Sequence, residues 1–325
     1  MKYAFSLETV NMLTSGPGVF TRQSKSFWTD YMKYAAAVGF SGIELPFNCF
    51  HSDPMAFETG RSGIPCSELA IREKYGGPEH FIFFIKEIGI SDGIVDIHVS
   101  TQDAMLELLA CGKRREEYYP LAEELLSRAL GHAAGLNADC LIVSPSPELG
   151  WLYRVFGEDL SAFEEQTADM LEKLTKEAGK TGIRIAVKNE FWSFFRGMKM
   201  NGLLQRVPEL LFSPDPAHFH IEGRNAAEAF SEHADRLLCV RMNDTAFGDI
   251  FDNYKKINAE LPTEGPQKIF KDCGEGELDL KGLIRGLETA GYDGWIICEN
   301  RRTSDVYKGL LKLGWFVRYG LNEGK

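Results

Sequence analysis

The chain has 325 residues, with 47 Asp and Glu against 36 Lys and Arg, for a net charge of −11. Apolar residues are 44% and charged residues 26%, a globular composition that excludes disordered and collagen-like chains. The acidic balance repels phosphate backbones, which argues against nucleic acid, and no run reaches the roughly 18 apolar residues of a membrane span.

The opening MKYAFSLETV has no apolar core and no small-residue cleavage site, so no secretory leader is expected. The seven cysteines are odd in number and form no CxxC pair. They fit a reducing, cytoplasmic setting, with Cys140, Cys239 and Cys298 as small buried hydrophobes.

Taken in chain order, apolar runs of strand length cover Tyr3–Leu7, Gly42–Pro46, Ile94–Val99, Cys140–Ser144, Ile183–Val187, Leu210–Ser213, Leu237–Met242 and Trp295–Cys298. They lack polar alternation, so both faces of each strand should be buried. Amphipathic stretches between them predict helices over Phe27–Val38, His80–Ile88, Arg115–Leu136, Asp159–Lys180, Ala226–His233 and Leu280–Ala290, with Ser304–Tyr319 closing the chain. This alternation predicts a single-domain (β/α)8 TIM barrel over residues 1–325. A doubly wound sheet comes second. No GxGxxG follows any strand, which demotes that fold and speaks against a nucleotide cofactor.

Phe47–Gly77 and Thr245–Cys273 are too long for simple barrel connections. Each follows a strand, so each lies at the C-terminal face, as a lid, a substrate wall or a subunit contact. Barrel chemistry sits at the same face. The strand ends carry Glu8, Glu44, His98, Ser144 with Ser146, Lys188 with Glu190, Asp215 with His218, Arg241 with Asn243, and Glu299. A purely structural core does not tolerate so many unpaired charges, so this clustering marks a functional site.

Several segments carry a resemblance. Ser213-Pro-Asp-Pro-Ala-His218 resembles the D-x-x-H element after the sixth strand of the xylose-isomerase-like barrel superfamily of sugar isomerases and epimerases, which also contains endonuclease IV. Gly274-Glu-Gly-Glu-Leu-Asp279 resembles its G-x-G-x-(I/L)-D element. Gly291-Tyr-Asp-Gly-Trp-Ile-Ile-Cys-Glu299 resembles its last strand, and Val38-Gly-Phe-Ser-Gly-Ile-Glu44 its second. His98 stands where the third strand commonly ends in His, and Gly182-Ile-Arg-Ile-Ala-Val matches the lead-in to the fifth.

The resemblance implies a divalent metal, manganese above all, held by Glu, Asp, His and Glu from strands five to eight. The implied chemistry is proton transfer beside a sugar carbonyl. Asp215 and Glu299 keep two ligand positions, and His218 keeps a neighbouring one. The family Glu of strand five falls on Lys188, and the His of strand seven falls on Arg241, with Asn243 replacing a Lys. Neither cation can ligate a metal. Three readings stay open. In one, Lys188 and Arg241 supply the positive charge of the ion and polarise the substrate. In another, a rearranged metal site uses Glu190, Asp215, His218 and Glu299. In the third, the barrel is a non-catalytic subunit.

The catalytic candidates are Glu190, Glu299, Lys188 and His98. For Lys188 an ion pair with Asp215 or Glu299 is preferred over a Schiff base. Glu44, His218, Arg241, Asn243, Trp192 and Trp151 are substrate-binding candidates. The aromatics Phe47, Phe50, Trp151 and Phe191–Phe195 suit stacking on a sugar or glycoside. The expected activity is a sugar or keto-sugar isomerase or epimerase. Alternatives are a lyase on 3-oxo-glycosides, as in C-glycoside deglycosidase α-subunits, or a degenerate barrel subunit. The chain is expected to form a homo-oligomer or to pair with a small subunit. An endonuclease IV-like role would need more His ligands than seven, most of them off the strand ends, can give.

Overall fold

A computed structural model of the chain describes residues 1–9, 24–48, 63–261, 269–301, 303 and 305–322. Eight parallel strands form the barrel: β1 Lys2–Ser6, β2 Gly42–Phe47, β3 Gly93–Ser100, β4 Cys140–Ser144, β5 Arg184–Lys188, β6 Leu211–Ser213, β7 Cys239–Met242 and β8 Trp295–Cys298. They follow one another around the sheet from β6 back through β1 and on to β8 and β7. Between β6 and β7 the closure thins to a bridge, Phe212 with Leu237, and two hydrogen bonds. Leu238 N donates to Phe212 O at 3.0 Å, and Arg241 N donates to Pro214 O at 2.9 Å.

The expected strands are all present, within two residues at their ends. Helices fill the expected stretches, from Lys25–Ala37 through Tyr118–Gly135 and Ser161–Ala178 to Val306–Arg318. Further helices, among them Gln102–Ala110, Leu149–Phe156 and Met198–Arg206, occupy segments whose periodicity is too short to separate from loops. Residues 49–62 of the first long segment, including Phe50, and 262–268 of the second, including Pro262 and Pro266, lie outside the described residues, as does Ser304. The rest of the second segment carries a short antiparallel ladder pairing Asp244–Thr245 with Phe270–Lys271.

The strands are apolar on both faces because both are covered. Outward side chains such as Phe5, Ile43, Ile97, Leu141 and Val187 pack on helix residues including Trp28, Tyr31, Leu125 and Leu171. Inside, alternation divides the lumen into two levels. Ala4, Val95, Cys140, Ile142, Ala186, Cys239 and Ile297 make an apolar floor. The next lumen positions are ionisable or polar: Ser6, Glu44, Asp96, His98, Ser144, Lys188, Arg241 and Glu299, all buried. A bulge shifts the β2–β3 register, so Ile43 pairs Ile94 but Glu44 pairs Asp96, and this sets Asp96 and His98 beside the other charges. A third apolar cluster joins Phe191 and Trp192 to Ile221, Phe247, Ile269 and Phe270, so the second long segment packs on the residues after β5 and β6.

Candidate functional site

The charged level of the lumen is an ordered ion-pair network. Arg241 Nη1 donates to Glu44 Oε1 at 2.9 Å and to Glu299 Oε1 at 2.5 Å, while its Nη2 donates to Glu44 Oε2. Lys188 Nζ donates to Glu299 Oε1 at 3.3 Å, which is the expected ion pair. Arg301 Nη1 stands 3.7 Å from Glu299 Oε2 and 3.9 Å from Glu8 Oε2, and Arg301 Nε donates to Glu260. Burial by itself would raise the Glu299 carboxyl, but Lys188, Arg241 and Arg301 hold it well below the usual range. Glu44 is held down against burial chiefly by Arg241. Asp96, buried beside the Glu44 charge, is pushed well up.

Asp215 follows β6 and caps the short helix Pro216–Ile221. Its Oδ1 accepts from Ala217 N at 2.9 Å and His218 N at 3.4 Å. Asn189 clamps its backbone from the neighbouring strand: Asn189 Nδ2 donates to Asp215 O, and Asp215 N donates to Asn189 Oδ1 at 2.7 Å. His218 Nδ1 accepts from Phe191 N at 3.2 Å, so Nε2 carries the ring proton of the neutral imidazole. The ring lies against Phe191, Trp192 and Phe270. Burial, then the charges of Lys188 and Arg301, push His218 well below the usual range, which keeps it neutral. Asp215 Oδ2 and His218 Nε2 are 3.7 Å apart, buried, and without hydrogen-bond partners. Burial and the Glu299 charge raise Asp215 to about 6, against the opposing pull of Lys188 and Arg241.

The structure thus brings Glu44, Lys188, Asp215, His218, Arg241 and Glu299 into one cluster. His98 belongs to a neighbouring group with Glu8 and Ser144. Glu190 is buried just past β5, where its backbone O accepts from Ser193 N at 2.9 Å. Asn243 Oδ1 accepts from Asp244 N, leaving Nδ2 buried and unpartnered. Trp192 is buried, with Arg301 5.2 Å from its ring centroid. Trp151 packs on the helical core and carries the Arg154 guanidinium at 5.4 Å.

Sequence reasoning missed Arg301, Asp96 and Glu260. Arg301 lies two residues past Glu299, the spacing that repeats a strand face, and Asp96 stands two before His98. Glu260 gives no local signal. The Gly274–Asp279 motif turns out to wrap one carboxylate. Asp244 Oδ2 accepts from Gly274 N at 2.8 Å and Gly276 N at 3.0 Å, and a Cβ on Gly276 would meet Asp244 Oδ1 at 2.1 Å.

The donor set does not fit the four-ligand metal centre. Two of its positions are cations, and Glu299 is already neutralised by Lys188 and Arg241. Among the described residues, three metal-ligating side chains converge at Asp96, Cys140 and Cys239, where the charged level meets the floor, and not at Glu190, Asp215, His218 and Glu299. If cations replaced an ion, restoring the ligands should restore uptake. The double variant Lys188→Glu with Arg241→His is expected to bind manganese when titrated by calorimetry after chelator treatment. No gain over the parent chain would sink the replacement idea.

Comparison with known proteins agrees with this architecture. The chain is 25% identical over 143 residues to inosose dehydratase of Lacticaseibacillus casei, covering 42% of this chain and 46% of that protein. It therefore spans about half the length of the curated relative it matches. The "probable 3-DHS dehydratase AsbF" of Bacillus anthracis superposes with a TM-score of 0.67 at 11% identity, covering 98% of this chain and 99% of the other. The 3-keto-D-glucoside 4-epimerase of E. coli gives a TM-score of 0.62 at 16% identity, covering 98% and 99%. No described helix is long and apolar enough to cross a membrane. The model of the xylose isomerase-like TIM barrel family matches residues 32–314, and the chain belongs to that family.

Proposed function

We propose that the chain is a carbohydrate-modifying enzyme that moves a proton at the carbon beside a carbonyl, on a keto-sugar or cyclic keto-polyol, without a resident metal. The observation that carries this reading is the facing pair Asp215 Oδ2 and His218 Nε2, buried, unpartnered and 3.7 Å apart. A buried acid–base gap walled by fixed cations suits a small polar substrate. A base titrating near 6 is matched to proton abstraction near neutral pH.

In this reading Asp215 takes the carbon-bound proton and His218 donates Nε2–H to a substrate oxygen. Lys188 uses one of its three N–H donors on Glu299, so the others serve the developing enolate oxygen. Arg241, whose two terminal nitrogens are both engaged by Glu44 and Glu299, positions Glu299, and Glu299 in turn positions Lys188. Trp192 and Phe270 wall the site beside Arg301.

Isomerisation and epimerisation both begin with this abstraction. So does elimination of water, a second reading that the match to an inosose dehydratase favours. A sealed ion-pair network alone would favour a non-catalytic subunit. The free Asp215 oxygen beside it supports an enzyme instead.

The test is solvent exchange. Incubated in D2O with inosose or a keto-hexose, the protein is expected to introduce deuterium at the carbon beside the carbonyl, read by NMR. Neither exchange nor turnover across cyclic and linear keto-polyols would refute the assignment.

A further inference from the structure

Glu8, His98 and Ser144 come from β1's end, β3 and β4, and form one hydrogen-bonded chain. His98 Nδ1 pairs with Glu8 Oε1, and His98 Nε2 pairs with Ser144 Oγ at 2.9 Å. The ring therefore has a carboxylate on one nitrogen and a hydroxyl on the other. That arrangement fixes the tautomer: Nδ1–H faces Glu8, and Nε2 accepts the Ser144 proton. Glu8 is itself held in place, its backbone N donating to Ser6 Oγ at 3.1 Å, with Arg301 near its other oxygen. Burial would raise the Glu8 carboxyl, but the hydrogen bond from His98 and the charges of Lys188 and Arg301 hold it down to about 2, so it stays ionised. Ser144 shares the lumen face with Cys140 and Ile142 and tops that column, at the charged level. None of this is needed to hold β3 to β4, which already pair by backbone from Asp96–Cys140 to Ser100–Ser144.

We infer that Ser144, His98 and Glu8 form a proton relay, with Ser144 Oγ touching the substrate, and that the substrate carries a hydroxyl next to its carbonyl. The inference rests on the proton-transfer reading above and adds its second half. Asp215 takes the C–H proton, the C–H pair becomes a C=C bond, and the carbonyl π pair moves to its oxygen. Ser144 Oγ then takes the proton of the neighbouring hydroxyl while its own proton passes to His98 Nε2. The O–H pair becomes the new C=O, and the C=C pair recovers a proton from Asp215 at the former carbonyl carbon. The relay returns its proton to the former carbonyl oxygen, so no net proton is gained or lost. Ser144 is the catalytic residue here, and His98 and Glu8 are positioning residues.

The experiment measures two things on the full chain and on Ser144→Ala, His98→Gln and Glu8→Gln. The first is the low-field imidazole N–H resonance in water. It should be present in the parent, absent in His98→Gln and Glu8→Gln, and displaced in Ser144→Ala. The second uses inosose in D2O. Ser144→Ala and Glu8→Gln should lose product formation ~100-fold while still exchanging the carbon-bound proton, so the ratio of exchange to product formation rises steeply. A resonance indifferent to Glu8→Gln and Ser144→Ala would overturn the relay. So would product formation by Ser144→Ala at the parental rate. A parent that shows the resonance but exchanges nothing from inosose would instead strike the proton-transfer reading, and the resonance would still decide whether the chain of hydrogen bonds exists.

Discussion

Replacing Arg241 by Met should destabilise the protein by about 3–5 kcal/mol in urea unfolding at neutral pH, the cost of leaving a buried charge without its partner. The guanidinium is buried and satisfies Glu44 with both terminal nitrogens and Glu299 with one. Removing it leaves Glu44 facing Asp96 with no cation in contact, on an apolar floor that water does not reach. Glu299 retains Lys188 and Arg301, so Glu44 carries most of the penalty. Adding Glu44→Gln to Arg241→Met should therefore restore about half the loss or more, because coupled neighbours are not additive. Two independent, additive effects would show that the fork does not bind Glu44 in solution.

Asp215→Asn should lower turnover by about 10³-fold, the scale of a lost general base, with little change in KM. In the parent, activity should rise with pH through about 6 and then level, because only the ionised carboxylate accepts the proton. Stability runs the other way. A carboxyl raised in the folded state binds its proton more tightly there than in the unfolded chain. Its contribution therefore favours folding at low pH and is lost as pH climbs towards about 6. Above that pH the Asn variant should melt no lower than the parent, since an amide oxygen can still accept from Ala217 N and His218 N. An unchanged rate, or an activity limb that does not move with this residue, would remove Asp215 from the chemistry.

The barrel is legible in the sequence because parallel strands covered on both faces leave uninterrupted apolar runs, as in Cys140–Ser144 and Trp295–Cys298. The clustering of ionisable residues is legible because strand ends converge by geometry alone. What could not be read is which group faces which. Lys188 and Arg241 look equivalent as cations in the sequence. The fold commits both terminal nitrogens of Arg241 to Glu44 and Glu299 but ties Lys188 to Glu299 by a single bond. Asp96 is hidden within an apolar run, and its lumen position depends on a bulge that no local pattern announces. The Glu260 to Arg301 pairing links residues 41 apart, across the helix Leu280–Thr289 and strand β8, and only the folded chain reveals it.

The seam between β6 and β7 has a mechanical consequence. Elsewhere around the ring neighbouring strands are laced together; here two backbone hydrogen bonds and one bridge complete the circle. One of those bonds ends on Pro214, next to Asp215, and begins at Arg241. The ring's weakest rivet therefore sits beneath the proposed base and the central cation. The amides of Leu238 and Arg241 should exchange with solvent deuterium sooner than those of β3 and β4. A ring that unzips first at that point would lose the catalytic gap before it loses its fold.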